Sequence, residues 1–256
     1  MPETRSSPTE FRNRILNKSH VVGTFIKTPT VHTTEIIGSI GFDFTIVDQE
    51  HAPFERNTID LACLAARATG IAALVRVGEP TPASILAVLD LGATGVLVPH
   101  VDSAEKAREV AAACRYRGGA RGFSNTTRAG GFGSASFADH MTAQDAQTTC
   151  IAMIEDEAAL GRLDAIAAVE GIDAFFIGRG DLTAALGIER MEAAVKEITA
   201  AARKAEMTTM ALVSSKGDAR AMRDLGVTAF VVSNDQSFLR SAASAALKDY
   251  GDPAAW

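Results

Sequence analysis

The chain has 256 residues, 47% of them hydrophobic and 22% charged, with a net charge of −6. This is the balance of a soluble globular protein with room for a large core, and it excludes a basic nucleic-acid-binding surface. Three widely spaced cysteines (Cys63, Cys114 and Cys150) without a CxxC pair exclude a disulfide framework and a structural zinc site, and are expected as reduced core thiols. No stretch approaches the roughly 18 uninterrupted apolar residues of a membrane span. The opening residues, MPETRSSPTEFRNRI, hold no apolar run of signal-peptide length. A cytoplasmic protein is expected, with residues 1–8 fraying.

A helix is expected over 10–17, then a strand over 21–27 (VVGTFIK) and a helix over 33–39 that Gly41 ends. FDFTIVD (42–48) is the second strand, with a helix over 57–68; IAALVRV (71–77) is the third, with a helix over 82–91. GVLVPHV (95–101) is the fourth, and Ser103 caps a helix running to Cys114. CIAMI (150–154) and a helix over 157–168 follow, then AFFIG (174–178) with a helix over 191–206. TTMALV (208–213) precedes a helix over 218–225, and AFVVSND (229–235) a helix over 236–248.

Eight strands alternate with helices, and the strands are apolar on both faces, as parallel strands covered on both sides must be. The count predicts an α/β fold, a (β/α)8 TIM barrel forming one domain over 1–256. No GxGxxG follows the first strand, which argues against dinucleotide binding. The rhythm breaks between strands 4 and 5, where residues 115–149 carry RYRGGARGFSNTTRAGGFGSASF. A connection this long is expected to be functional or to pack on another subunit, and a short helix is expected over 137–143.

Chemistry in such a barrel sits at the carboxyl ends of the strands. The second strand runs straight into Asp48, Glu50 and His51; the third carries Arg76, the fourth His100, the fifth Glu155, and the sixth Gly178-Arg179-Gly180-Asp181. Glu155 and Asp181 on adjacent strands invite a hard divalent cation, although Asp181 could serve only as a helix cap. Glycines before a helix start let an anion approach exposed amides. Arg76 on an apolar strand needs an anionic partner, Glu50 or a substrate oxygen. Asp90 could orient His51, or be a surface acid. Lys27, within a KTPT turn, is expected to be exposed, although a desolvated lysine here could form a Schiff base. His100 and His140 are expected to be structural or at a subunit contact.

Three stretches, GFDFTIVDQEHAPF, LVRV with LDLGATGVLVPHVDSAEKAREV, and MIEDEAALGRLDAIAAVEGIDAFFIGRGDL, together resemble the HpcH/HpaI family of metal-dependent class II pyruvate aldolases. The likeness covers nearly the whole chain. It implies a barrel assembled as a homo-oligomer, a hexamer built as a trimer of dimers, with the C-terminal helix (236–256) domain-swapped. Its implied metal ligands are Glu155 and Asp181, for Mg2+, Mn2+ or Co2+. Arg76 falls on the arginine that contacts the pyruvate carbonyl oxygen, and His51 with Asp90 on the catalytic dyad. Gly178 and Gly180 fall on the loop that holds the pyruvate carboxylate, and Asp48 on an acid serving a neighbouring subunit's pocket. Glu50 is then expected to stand behind these groups, as a partner of Arg76 or of metal-bound water.

The activity implied is cleavage or formation of the C3–C4 bond of a 4-hydroxy-2-oxoacid, from a 2-oxoacid donor and an aldehyde. The chain departs from many relatives at Met153 (glutamine there), Arg179 (proline), Phe25 (tryptophan) and Gln49 (glycine). Arg179 is expected to meet an anionic substrate group or to pair with a local acid. These departures keep open a related carbon–carbon synthase, resembling the citrate-forming siderophore enzymes that use oxaloacetate and acetyl-CoA.

Overall fold

The computed structural model describes residues 8–251; the expected fraying of residues 1–8 falls, Pro8 apart, outside them, as do residues 252–256 of the C-terminal segment. Eight parallel strands close into a barrel in chain order: β1 (Val21–Ile26), β2 (Phe44–Asp48), β3 (Ala72–Arg76), β4 (Gly95–Val98), β5 (Thr149–Ile154), β6 (Ala174–Ile177), β7 (Thr208–Val213) and β8 (Ala229–Asn234). β1 pairs with both β2 and β8, which closes the ring. The expected (β/α)8 barrel is what the chain forms.

Helix α1 (Pro8–Leu16) precedes β1; α2 (Val31–Ile40), α3 (Arg56–Thr69), α4 (Pro82–Asp90) and α5 (Ala104–Ala113) follow the first four strands. The β4–β5 connection contains α6 (Phe137–Gln147). Where one helix was expected after β5, there are two short ones, α7 (Glu157–Leu160) and α8 (Leu163–Ala167), broken at Gly161-Arg162. After β6 come α9 (Arg179–Leu186) and α10 (Ile188–Lys204), then α11 (Lys216–Asp224) after β7 and α12 (Asp235–Tyr250) after β8. The sequence marks half of the starts chemically. Thr30, Thr81, Ser103, Ser136, Ser215 and Asn234 each accept a first-turn amide of the helix they precede.

Strand side chains alternate between two apolar compartments. Ile46, Leu74, Leu97, Ile151, Met153 and Phe176 fill the lumen, while Val47, Val75, Val96, Ala152 and Ile177 pack under the helices. Each such large side chain contributes roughly 1.5–3 kcal/mol when fully buried. α1 plugs the amino-terminal end of the barrel with Phe11 and Ile15, which join the lumen cluster. Arg12 ties that plug to buried Asp173 through two hydrogen bonds of 3.1 and 2.9 Å. The lumen is therefore solid at the bottom, and only the carboxyl ends of the strands are left for a site. All three cysteines are free and buried, and burial pushes the Cys63 thiol up to about 12.

The 115–149 connection is ordered by its own charges. Arg121 donates to Asp90 at 3.2 Å and Arg128 to both oxygens of Asp60 at 2.9 and 2.6 Å, strapping the segment to α4 and α3. Asp145 receives the amides of Tyr116 and Arg117. His140 is buried, with its Nε2 3.1 Å from the Tyr116 hydroxyl. The segment thus packs on its own barrel. Among the described residues no helix is long and apolar enough to cross a membrane.

Candidate active site

A cleft of about 880 Å³ opens at the carboxyl ends of the strands, and Lys27, Asp48, His51, Arg76, Gly178, Arg179, Gly180 and Asp181 all line it. Its first wall is the β2–β3 pair. Asp48 and Arg76 are register partners at the ends of neighbouring strands. Their side chains therefore rise together. Arg76 donates from Nε to Asp48 Oδ1 at 3.0 Å and from Nη2 to Oδ2 at 2.9 Å; its Nη1 lies 3.0 Å from Glu50 Oε2. The guanidinium also lies over the Phe25 ring, 5.0 Å from its centroid. This two-carboxylate cradle answers the requirement that a buried arginine have anionic partners.

Asp48 is fully buried and also accepts the His51 amide at 3.1 Å, with Lys27 Nζ 3.2 Å away. Burial alone would raise its carboxyl, but the hydrogen bonds and charge of Arg76, the His51 amide and Lys27 hold it below the usual carboxylate value. Asp48 is not at the surface: it is turned inward, under Arg76 of its own chain. Lys27 is likewise not the exposed turn residue expected; it is half-buried, paired and inside the cleft.

The second wall is β4–β5–β6. Glu155, 3% exposed, follows β5, and its Oε1 accepts the backbone amide of His100 at 2.9 Å. The Asp181 carboxyl is within hydrogen-bond reach of Glu155. Burial first, and the neighbouring Asp181 second, push Glu155 up to about 7 against the opposing amide and charge of His100. A buried carboxyl that retains its proton beside a second carboxyl is a position where a cation can replace the proton. Oxygen donors of this kind fit a hard divalent ion.

His100 is the residue that sequence reasoning undervalued. It sits just past β4 with φ 55°, a left-handed backbone that β-branched residues avoid. Its Nδ1 lies 3.1 Å from Asp156 Oδ2 and 3.5 Å from Glu155 Oε1, and its Nε2 3.8 Å from Glu50 Oε1. Burial would lower its pKa, but the Asp156 hydrogen bond and the charges of Glu155, Asp156 and Glu50 raise it. Glu50, His100 and Glu155 each offer a donor atom within 4.8 Å of the others, a cluster able to hold a metal ion. The signal was available in the sequence: a histidine two residues beyond a barrel strand.

Gly178 and Gly180 play different parts. The Gly178 amide donates to Ile154 O at 3.0 Å, so it is not free to bind an anion. Its role is spatial, because an added Cβ would come within 2.4 Å of Glu155 Cβ. Helix α9 starts at once, and the amides of its first turn, those of Arg179, Gly180 and Asp181, have no helical carbonyl behind them. They form the anion-receptive edge, and a Cβ on Gly180 would meet nothing within 4 Å. Arg179 is committed to Asp218, donating at 2.7 and 2.9 Å, which is the local-acid alternative of the two expected.

Asp90 is not brought to His51. It is the last residue of α4, at the helix end leading into the start of β4, and pairs with Arg121. Helices of a barrel run back from the strand tips, so within one chain this position is remote from the mouth. Glu50 stands where Asp90 was expected, with Oε2 3.6 Å from His51 Nε2.

A lumen-filled parallel barrel with a carboxylate pair, a clamped arginine and a histidine at its strand tips has the build of a barrel enzyme working on small oxyanionic substrates. The family model described as HpcH/HpaI aldolase/citrate lyase matches residues 22–242, and the chain belongs to that family. It is 31% identical over 242 residues to the 5-keto-4-deoxy-D-glucarate aldolase of Klebsiella pneumoniae subsp. pneumoniae, covering 92% of this chain and 94% of that one. A solved HpcH/HpaI aldolase/citrate lyase family protein from Burkholderia cenocepacia J2315 superposes with a TM-score of 0.90 at 25% identity, covering 95% of this chain and all of the other. The citrate synthase SbnG superposes with a TM-score of 0.83 at 29% identity, over 93% of this chain and 95% of its own. With aldolases as its named relatives, the chain is a carbon–carbon lyase.

Proposed function

We propose that this lyase is a divalent-metal-dependent aldolase that cleaves and forms the C3–C4 bond of a 4-hydroxy-2-oxoacid, with pyruvate and an aldehyde as the two fragments. The observation that carries this reading is the meeting, at one mouth, of buried Glu155 and the exposed Asp181 beside it with the doubly clamped Arg76. Glu155 and Asp181 would hold the ion (Mg2+, Mn2+ or Co2+), with Glu50 and His100 beside it. When bound, the ion supplies Lewis-acid polarisation of the 2-oxo group.

The remaining roles belong to the chain. The first-turn amides of α9 receive the donor carboxylate. Arg76 is held rigid by Asp48 and Glu50, so its charge is in place before the 2-oxo oxygen becomes enolate-like, and no reorganisation is needed during the reaction. His51, at the rim, takes the proton of the 4-hydroxyl through Nε2, oriented by Glu50. The O–H electrons form the aldehyde carbonyl, and the C3–C4 pair moves into the C2–C3 bond of the enolate. Proton return to C3 completes pyruvate, and the reverse sequence gives condensation. Cytoplasmic location and assembly as a homo-oligomer, a hexamer in the family's manner, complete the proposal; the exposed apolar side chains of α12 support the assembly.

Coupled detection of pyruvate from a 4-hydroxy-2-oxoacid tests the reading. Activity should vanish with a chelator, return with Mn2+, and fall by about 10³-fold or more in Glu155→Gln and Asp181→Asn, as expected for loss of the main electrostatic contribution. Undiminished turnover in either variant sinks it. The likeness to a citrate synthase favours one second reading, condensation of oxaloacetate with acetyl-CoA. Release of free CoA without any aldol cleavage would select that reading.

A further inference from the structure

Resting on the aldolase reading, we infer that Lys27 is a positioning residue for the enolate-forming half of the reaction: it offsets the charge of Asp48, so that Arg76 keeps its positive charge for the developing oxyanion. The need for such a residue lies in the charges around Arg76. Asp48 holds the guanidinium through Nε and Nη2, and Glu50 holds it through Nη1. Two carboxylates on one guanidinium leave that wall net negative, which opposes an oxygen becoming anionic beside it. The other neighbours of Glu50 do not restore the balance. His51 stands at the rim as the base, and His100 Nδ1 is turned to Asp156.

Lys27 restores it. Its Nζ is 3.2 Å from Asp48 Oδ2, the same oxygen that accepts Arg76 Nη2 at 2.9 Å. Asp48 is fully buried, so a second cation on it acts where water screens poorly. With Lys27, the set of Asp48, Glu50, Arg76 and Lys27 is neutral, and Asp48 divides its charge between two cations instead of cancelling Arg76 alone. Among the described residues no other cation pairs with Asp48. Arg179 is committed to Asp218, and Lys216 is exposed on the first turn of α11.

The backbone is built to keep the ammonium there. Between the register pairs Gly23–Val231 and Phe25–Asn234, β8 carries one residue more than β1, a bulge in which Ser233 takes φ 55°. Buried Thr24 holds the bulge, its hydroxyl donating to Val232 O at 2.8 Å with Ser233 O at 3.2 Å. Asp235, the residue after the bulge and the first of α12, comes to lie beside the β1 turn. It is buried there and accepts the backbone amides of Lys27 and Thr28 at 2.7 and 3.1 Å. The Lys27 stem thus leaves a pinned backbone and Asp48 steadies its tip, so the charge is in place before the oxyanion forms.

Exchange of pyruvate methyl protons with deuterated water, followed by NMR, reads enolate formation with no aldehyde present. Lys27→Met and Lys27→Gln should each lower its kcat by about 10–100-fold, short of the roughly 10²–10³-fold for loss of an oxyanion donor itself. The KM for pyruvate and the Mn2+ affinity, read by calorimetry, should stay close to wild type, and Lys27→Arg should keep most of the rate. The decisive variant removes the charge that Lys27 offsets: adding Asp48→Asn to Lys27→Met should restore part of the lost rate, a coupling that two independent losses would not show. Wild-type exchange left unchanged by Lys27→Met and Lys27→Gln, a loss matched by weaker Mn2+ binding, or a double variant no faster than Lys27→Met overturns the role of Lys27 and leaves the aldolase standing. A wild type that neither exchanges nor cleaves overturns the aldolase reading and this inference with it.

Discussion

Glu155 shows at the scale of one residue how a site is kept ready for a cation at the expense of stability. Its carboxyl titrates near 7 in the folded, metal-free chain because it is buried beside Asp181, whereas in an unfolded chain a glutamate titrates near its ordinary value of about 4.3. Below the unfolded value both states are protonated and nothing is lost. As pH rises to about 7, unfolding releases a proton that the folded site retains, so stability falls, and above that the loss is constant. The metal-free Glu155→Gln variant should therefore be more stable than wild type at pH 8, by about 1–3 kcal/mol. At pH 4 the two should be nearly equal. Saturating Mn2+ should reverse the order at pH 8, since only the wild type gains from binding. Urea unfolding at the two pH values, with chelator and with Mn2+, measures all of this. Equal stabilities at pH 8 without metal would show that Glu155 is not strained in the empty site.

At the scale of the element, the β6–α9 junction separates the two glycines that the sequence presents as equivalent. Gly178 lies against Glu155 so closely that an alanine Cβ would come within 2.4 Å of Glu155 Cβ, while Gly180 has open space before it. Gly178→Ala must displace the carboxylate or the strand end, and overpacking of this kind costs about 1–3 kcal/mol. It should also weaken Mn2+ binding, read by calorimetry. Gly180→Ala should melt with the wild type, bind Mn2+ as the wild type does, and raise the KM for pyruvate, because its methyl enters the space beside the anion-receptive amides. If the two variants melt together, the close approach of Gly178 to Glu155 is not a constraint. Asp218 supports the same junction by gripping Arg179 and accepting the Ser214 amide at 2.9 Å, which locks the first turns of α9 and α11 together.

At the scale of the whole molecule, the barrel was legible because continuous apolar runs such as AALVR and AFFI can only be strands covered on both sides. What resisted reading was three-dimensional direction. Gly178-Arg179-Gly180 reads as the approach to a helix, yet α9 already begins within it, at Arg179. KTPT looks exposed, yet Lys27 continues the inward phase of β1 into the cleft. Asp90 looked available to His51 because spacing along a chain does not reveal which end of α4 faces the mouth. The C-terminal helix leaves the last matter open to experiment. α12 runs 16 residues beyond the barrel, and Leu239, Leu247 and Tyr250 are 72%, 74% and 73% exposed. An amphipathic surface helix normally turns its apolar stripe to a core; here, among the described residues, that stripe has little of its own barrel to meet. Exposed apolar side chains aligned on one helix mark an association surface. The purified chain should therefore have a light-scattering mass that is a multiple of the monomer. Leu239→Glu combined with Leu247→Glu should reduce that multiple, because charges at the centre of an apolar contact are left without partners. The barrel of the double variant should still melt cooperatively within a few degrees of the wild type, since neither leucine belongs to its core. A monomeric wild type, or a double variant of unchanged mass, would show that α12 is not what holds the copies together.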